Sequence, residues 1–97
     1  MDFGGFDWDA GNRDKCRKHG VSLEEIESLF HGNPLVGPDA VHSKAEMRFR
    51  AIGYTAKRRS LFVIFTWRTI GLARLVRPIS ARYMHRKEVE AYEEEVS

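Results

Sequence analysis

The sequence predicts an α+β fold, a small antiparallel sheet with an N-terminal helical hairpin and a C-terminal helix packed on it. Three observations carry the prediction. The first third holds two capped segments of helical period that meet at Gly20. From about residue 47 the apolar residues alternate or run together, as in strands. Helical spacing returns near the C-terminus. A chain of 97 residues makes one domain, 1–97, with no room for a second core. Its 42% hydrophobic and 31% charged content is that of an ordinary globular domain, which excludes a disordered or fibrous class.

Residues 4–8 read as a short strand, with Phe6 and Trp8 on one side. Asp9 can then cap a helix over 10–19. Lys15, Arg17, Lys18 and His19 lie in its last turns, where cations complement the helix dipole, and Gly20 follows at the left-handed position. Ser22 and Glu25 form a capping box for a second helix, and Val21 can staple against Ile26. Ile26, Leu29 and Phe30 make its buried stripe, and Gly32 and Pro34 stop it. Leu35 and Val36 begin an extended segment, and 37–44 reads as loop. Residues 47–54 alternate, as in a half-exposed strand. Lys57-Arg58-Arg59 is a basic turn. Residues 60–67 are apolar on both faces, the mark of a central strand. Residues 68–71 turn the chain into a strand over 72–80, which Pro78 confines to an edge or a bulge because it lacks a donor. A last helix covers 84–95, with Met84, Val89 and Tyr92 for packing. Helices are expected mainly on one face of the sheet.

The net charge of +2 conceals a strong asymmetry. Twelve Lys or Arg lie between Lys44 and Lys87, with Glu46 the one acid among them. The remainder of the chain is acidic. Such segregation points to a polyanion partner for one basic face, unless folding mixes the charges. The last helix also runs against its dipole, with Arg82, Arg86 and Lys87 around its start and Glu93, Glu94 and Glu95 at its end. Each misplacement costs about 0.3–1 kcal/mol. Exposed amides and three cations at one point read as a phosphate-binding corner.

Other classes find little support. No apolar run is long enough to span a bilayer. The acidic start MDFGGFDWD is unlike a secretory signal, so no membrane association and a cytoplasmic location are expected. Cys16 stands alone, which excludes a disulfide framework and reads as a small packed residue rather than a reactive thiol. No ligand spacing suggests a metal or another cofactor.

Three motifs in order resemble the BrnT family of toxins. The first is Phe6-Asp7-Trp8-Asp9 with Asn12, Lys15 and Lys18-His19-Gly20-Val21-Ser22. The second is Asp39, His42-Ser43, Glu46, Arg48-Phe49 and Gly53. The third is Arg77-Pro78-Ile79-Ser80-Ala81-Arg82 with Arg86, Glu88 and Tyr92. The resemblance implies a RelE-like fold and a ribonuclease toxin of a type II toxin–antitoxin pair. It also implies a BrnA-like antitoxin partner, with operator DNA bound only through that antitoxin. Pro78 and the stretch 68–72 depart from the family pattern, the latter by lacking its acidic, Gly-rich turn.

A nuclease of this kind, cutting without metal, lets the RNA 2′-hydroxyl attack the adjacent phosphate. It must remove one proton, supply another and stabilise the crowded phosphorane. The candidate catalytic residues are His42, Glu46, Arg77, Arg82, Tyr83 and His85. Arg77 and Arg82 can grip a phosphate in bidentate fashion. His42 and His85 suit proton transfer at neutral pH, and Tyr83 can stack or transfer a proton. Glu46 can act as base or orient an arginine. Lys57, Arg58, Arg59, Arg86 and Lys87 are candidates for RNA binding. His19 reads as a dipole partner of its helix. The competing reading is a non-catalytic nucleic-acid-binding or protein-interaction module of the same fold, which needs the basic face but not Glu46, His42 or His85.

Overall fold

Three helices and four strands form along the chain, in the computed structural model that describes residues 1–97. They are α1 (Ala10–Arg17), α2 (Leu23–His31), β1 (Leu35–Pro38), β2 (Phe49–Tyr54), β3 (Ser60–Ile70), β4 (Ala73–Tyr83) and α3 (Arg86–Val96). Both expected helix starts are capped. The Asp9 carboxylate accepts the Asn12 N–H at 3.0 Å, and the Asn12 side chain accepts the Asp9 N–H at 2.7 Å. Ser22 and Glu25 exchange the same pair of bonds at 3.1 and 3.3 Å. Each box satisfies two amide donors that the helix itself cannot. Between the helices, Gly20 turns the chain at φ +85°, where a side chain would be strained.

The sheet is antiparallel, in the order β1-β2-β3-β4. Alternation along the strands puts Ala51, Leu61, Val63, Phe65, Val76 and Ala81 on one face. There they are buried with Cys16, Val21, Ile26, Leu29 and Phe30 of the helical hairpin. Phe30 meets Phe65 edge to face at 5.0 Å. Burying each ring stabilises the fold by about 1.5–3 kcal/mol.

The opposite face carries Arg50, Ile52, Phe62, Ile64, Thr66, Ser80 and Arg82 at the alternate positions. Two segments cover parts of it. At one end Met84, just before α3, and Tyr92 within it stand beside Ile52 and Phe62, with Tyr92 edge-on to Tyr54 at 5.8 Å. Elsewhere the β1–β2 connection crosses, held where the Thr66 hydroxyl donates to the Met47 carbonyl at 2.9 Å. The helices therefore divide, two on one face and one on the other, because Ile52 and Phe62 leave apolar surface that α3 must shield.

Other boundaries differ from expectation. Residues 4–8 form only a parallel bridge, Phe6 to Val76, since Gly5 at φ +141° interrupts the strand. β3 continues through 68–70, and the turn falls at Gly71 (φ +60°) and Leu72, the glycine standing first as in a type II′ hairpin. The strand ends were hidden because that hairpin leaves the core, so its residues are exposed on both sides and carry no alternation. Pro78 sits as expected. Pairing jumps from Ile64–Ser80 to Phe65–Pro78, leaving Ile79 as a bulge on the edge strand. Asn12, buried beside it, donates to the Pro78 and Asp7 carbonyls, both at 2.9 Å.

Candidate functional site

The β1–β2 connection builds the first part of the site. Ser43 pins it, donating to the Asp39 carbonyl at 2.6 Å and accepting the Arg48 N–H at 2.8 Å. Asp39 is buried and holds His42 twice, through the backbone N–H at 3.2 Å and ring Nδ1 at 2.9 Å. Burial opposes ionisation of Asp39, but the hydrogen bonds from the His42 ring and backbone outweigh it and lower its pKa. An ionised carboxylate only accepts, so Nδ1 donates to it, and Nε2 is the ring nitrogen left without a partner. The ring is half exposed, so Nε2 is open to a ligand.

His42 lines a cleft of about 260 Å³ with His19, Phe62, Ile64, Ser80 and Arg82. Arg82 is fixed there by Glu88, with bonds of 2.7 and 3.0 Å in a bidentate pair. Its guanidinium lies 4.4 Å from the Phe62 ring centroid, and one nitrogen donates weakly to the Tyr83 carbonyl. Of the five guanidinium donors, two remain for a ligand. The Arg82 pair and the His85 N–H pull the Glu88 pKa down from 4.5 to about 2, against the effect of burial.

A neighbouring hollow is lined by Lys15, Glu46, Arg48, Arg68 and Arg77. Glu46 lies 3.6 Å from Arg48 and 3.9 Å from Arg68, so it sits among cations. Arg77 is bound by Asp9 at 2.8 Å and Asp7 at 3.3 Å. The Asp9 hydrogen bond raises its pKa despite burial.

The remaining candidates lie elsewhere. Tyr83 is on the face covered by α1 and α2 and donates to Glu25 at 2.7 Å. Burial and that carboxylate push its pKa up. His85 precedes α3 and gives its backbone N–H to Glu88 at 2.8 Å. Glu88 thus occupies the corner expected to take a phosphate. Lys57, Arg58 and Arg59 form the β2–β3 turn, at the same end of the sheet as Arg86 and Lys87, because the Met84 N–H bonds the Ser60 carbonyl. Arg59 is drawn to the helix face by Glu25 at 3.7 Å and the Tyr83 ring at 4.0 Å. Arg86 pairs with Glu90 at 3.4 Å.

Folding therefore mixes much of the linear charge asymmetry. The acidic N-terminal segment reaches β4 and neutralises Arg77, and α2 and α3 neutralise Arg59 and Arg82. His42 and Arg82 meet in the cleft, and Glu46 and Arg77 in the hollow beside it. Sequence reasoning passed over Asp39, His19 and Ser80 as site residues. Asp39 carried a signal in its place three before His42 in the second motif, and His19 in its place in the first. Cys16 is fully buried, and burial pushes its thiol up to about 11, so it is a core residue. No three His, Cys, Asp or Glu side chains stand in a metal-holding group. No helix is long and apolar enough to cross a membrane.

The family model for the ribonuclease toxin BrnT of type II toxin–antitoxin systems matches residues 8–88. No curated protein matches the chain. The matched span runs from Trp8, just before the Asp9 cap, to Glu88, the carboxylate that fixes Arg82, and so includes every part of the cleft and hollow. The chain belongs to the BrnT family, the ribonuclease toxins of type II toxin–antitoxin systems.

Proposed function

We propose that this chain is a cytoplasmic, metal-independent endoribonuclease that cleaves RNA by attack of the 2′-hydroxyl on the adjacent phosphate. A BrnA-like antitoxin neutralises it, and operator DNA is reached only through that antitoxin. The observation that carries the reading is the Asp39–His42 pair opening onto a cleft beside Arg82. In this reading the Nε2 lone pair of His42 takes the 2′-hydroxyl proton. Asp39 keeps the ring in the required tautomer and stabilises the imidazolium that forms. The unused donors of Arg82 face the phosphorane charge, with Glu88 and Phe62 holding the guanidinium still. Glu46 sets Arg48 and Arg68 for the flanking phosphates. Lys57, Arg58, Arg86 and Lys87 extend the RNA path.

The test is cleavage of an RNA oligonucleotide by the purified protein in excess chelator. Products should end in a 2′,3′-cyclic phosphate and a 5′-hydroxyl. A single 2′-deoxy substitution at the cut site should abolish cleavage there. Cleavage that requires a divalent ion, or that survives the 2′-deoxy substitution, would refute the mechanism. The non-catalytic reading predicts binding without product. Its affinity should fall with salt at a slope of about −0.7 per phosphate contact.

A further inference from the structure

We infer that His19, just beyond the end of α1, is the general acid of the cleavage and faces His42 across the cleft. This rests on the nuclease reading above.

The two histidines line the same cleft of about 260 Å³, yet they come from distant parts of the chain. His42 arrives on the connection between β1 and β2, from one side of the sheet. His19 arrives from the other, where the chain leaves α1 beside the edge strand β4 and turns at Gly20. In-line displacement places the attacking and leaving oxygens on opposite sides of the phosphorus. A base on one wall therefore calls for an acid on the other.

The cleft offers few alternatives. Phe62, Ile64 and Ala81 have no proton to give. Arg82 stays protonated throughout, so it stabilises charge but does not transfer a proton. Ser80 is a hydroxyl no more acidic than the leaving alcohol. Tyr83 points to the other face, with its hydroxyl committed to Glu25. The His42 ring already commits its Nδ1 proton to Asp39. Among the side chains that line the cleft, His19 is the one left that can carry a proton and release it.

The step balances without a co-reactant. The 2′-hydroxyl gives its proton to His42 Nε2 as the O2′–P bond forms. The P–O5′ bond breaks, and its electron pair on O5′ takes a proton from the His19 imidazolium. The products are a 2′,3′-cyclic phosphate and a 5′-hydroxyl, with the proton moved from one imidazole to the other.

The experiment compares an RNA oligonucleotide with its analogue bearing a 5′-bridging sulfur at the cut site. A thiolate leaves without protonation, so the analogue needs no acid. His19→Gln in the full-length protein should slow cleavage of ordinary RNA by about 10²-fold or more, while staying within roughly threefold of the unsubstituted protein on the sulfur analogue. His42→Gln should slow both. His19 is exposed, so the substitution should leave the melting temperature unchanged. Equal losses on the two substrates, or no loss on either, would overturn the assignment. If the unsubstituted protein cuts neither substrate, the nuclease reading falls first and His19 loses its role with it, which separates the two failures.

Discussion

Replacing Glu88 by Gln tests how firmly the cleft is held. The substitution keeps the shape and one acceptor oxygen, but it removes the charge that faces Arg82 and turns the second acceptor into a donor. Glu88 accepts two bonds from Arg82 and one from the His85 N–H, and its pKa falls from 4.5 to about 2. A depression of that size in a fully buried pair corresponds to about 3 kcal/mol. Both side chains are one-third exposed, and water screens such pairs. The expected loss at pH 7 is therefore about 1–2 kcal/mol, or roughly 4–16 °C in melting temperature for a domain of this size. The pH dependence gives a second check. The unfolded chain binds the Glu88 proton more tightly than the folded one, so the contribution is complete above about pH 5 and fades as pH falls towards 2. Denaturant melts of both proteins between pH 7 and pH 2 should show curves that are separated at neutral pH and converge in acid. Equal stabilities at pH 7, or a gap that persists unchanged at the acid end, would refute the account of the pair.

Three further substitutions probe other links. Asp39→Asn should lower the single-turnover cleavage rate by about 10²-fold or more, with RNA affinity unchanged, because the imidazole loses its tautomer and its counter-charge; equal losses in rate and affinity would point to a role in binding. Asn12→Ala removes the return bond of the capping box, from the Asp9 N–H, and two bonds to the Pro78 and Asp7 carbonyls at the bulge, so denaturant melts should register a loss of about 2–4 kcal/mol. Phe65→Ala takes a fully buried ring from between Phe30, Phe49 and Trp67, and should cost about 3–5 kcal/mol, enough to unfold much of the protein at 37 °C by circular dichroism.

Local patterns made the secondary structure legible. The Asp9–Asn12 and Ser22–Glu25 boxes need only residues three apart, and the apolar run of β3 speaks for its own burial. Pro78 announced its bulge because a missing amide leaves few places in a sheet. The reach of the β3–β4 hairpin was hidden, since residues beyond the core lose the alternation that marks a strand. Part of the site was legible in the same way. His42 and Arg82 stood out by chemical type, and both line the cleft.

The sequence by itself determined the helix caps, the sheet's central strand, the family and the chemical kinds of residue available. Each of these is written in neighbouring positions or in motif spacing. Tertiary structure alone decided which charges remain free and which groups meet. Arg77 finds Asp9 across 68 positions, Tyr83 finds Glu25 across 58, and His19 comes to share a cleft with His42. Electrostatic energy falls with distance in space and is indifferent to distance along the chain. A run of arginines in sequence therefore becomes a basic surface only where the fold brings no carboxylate to meet it.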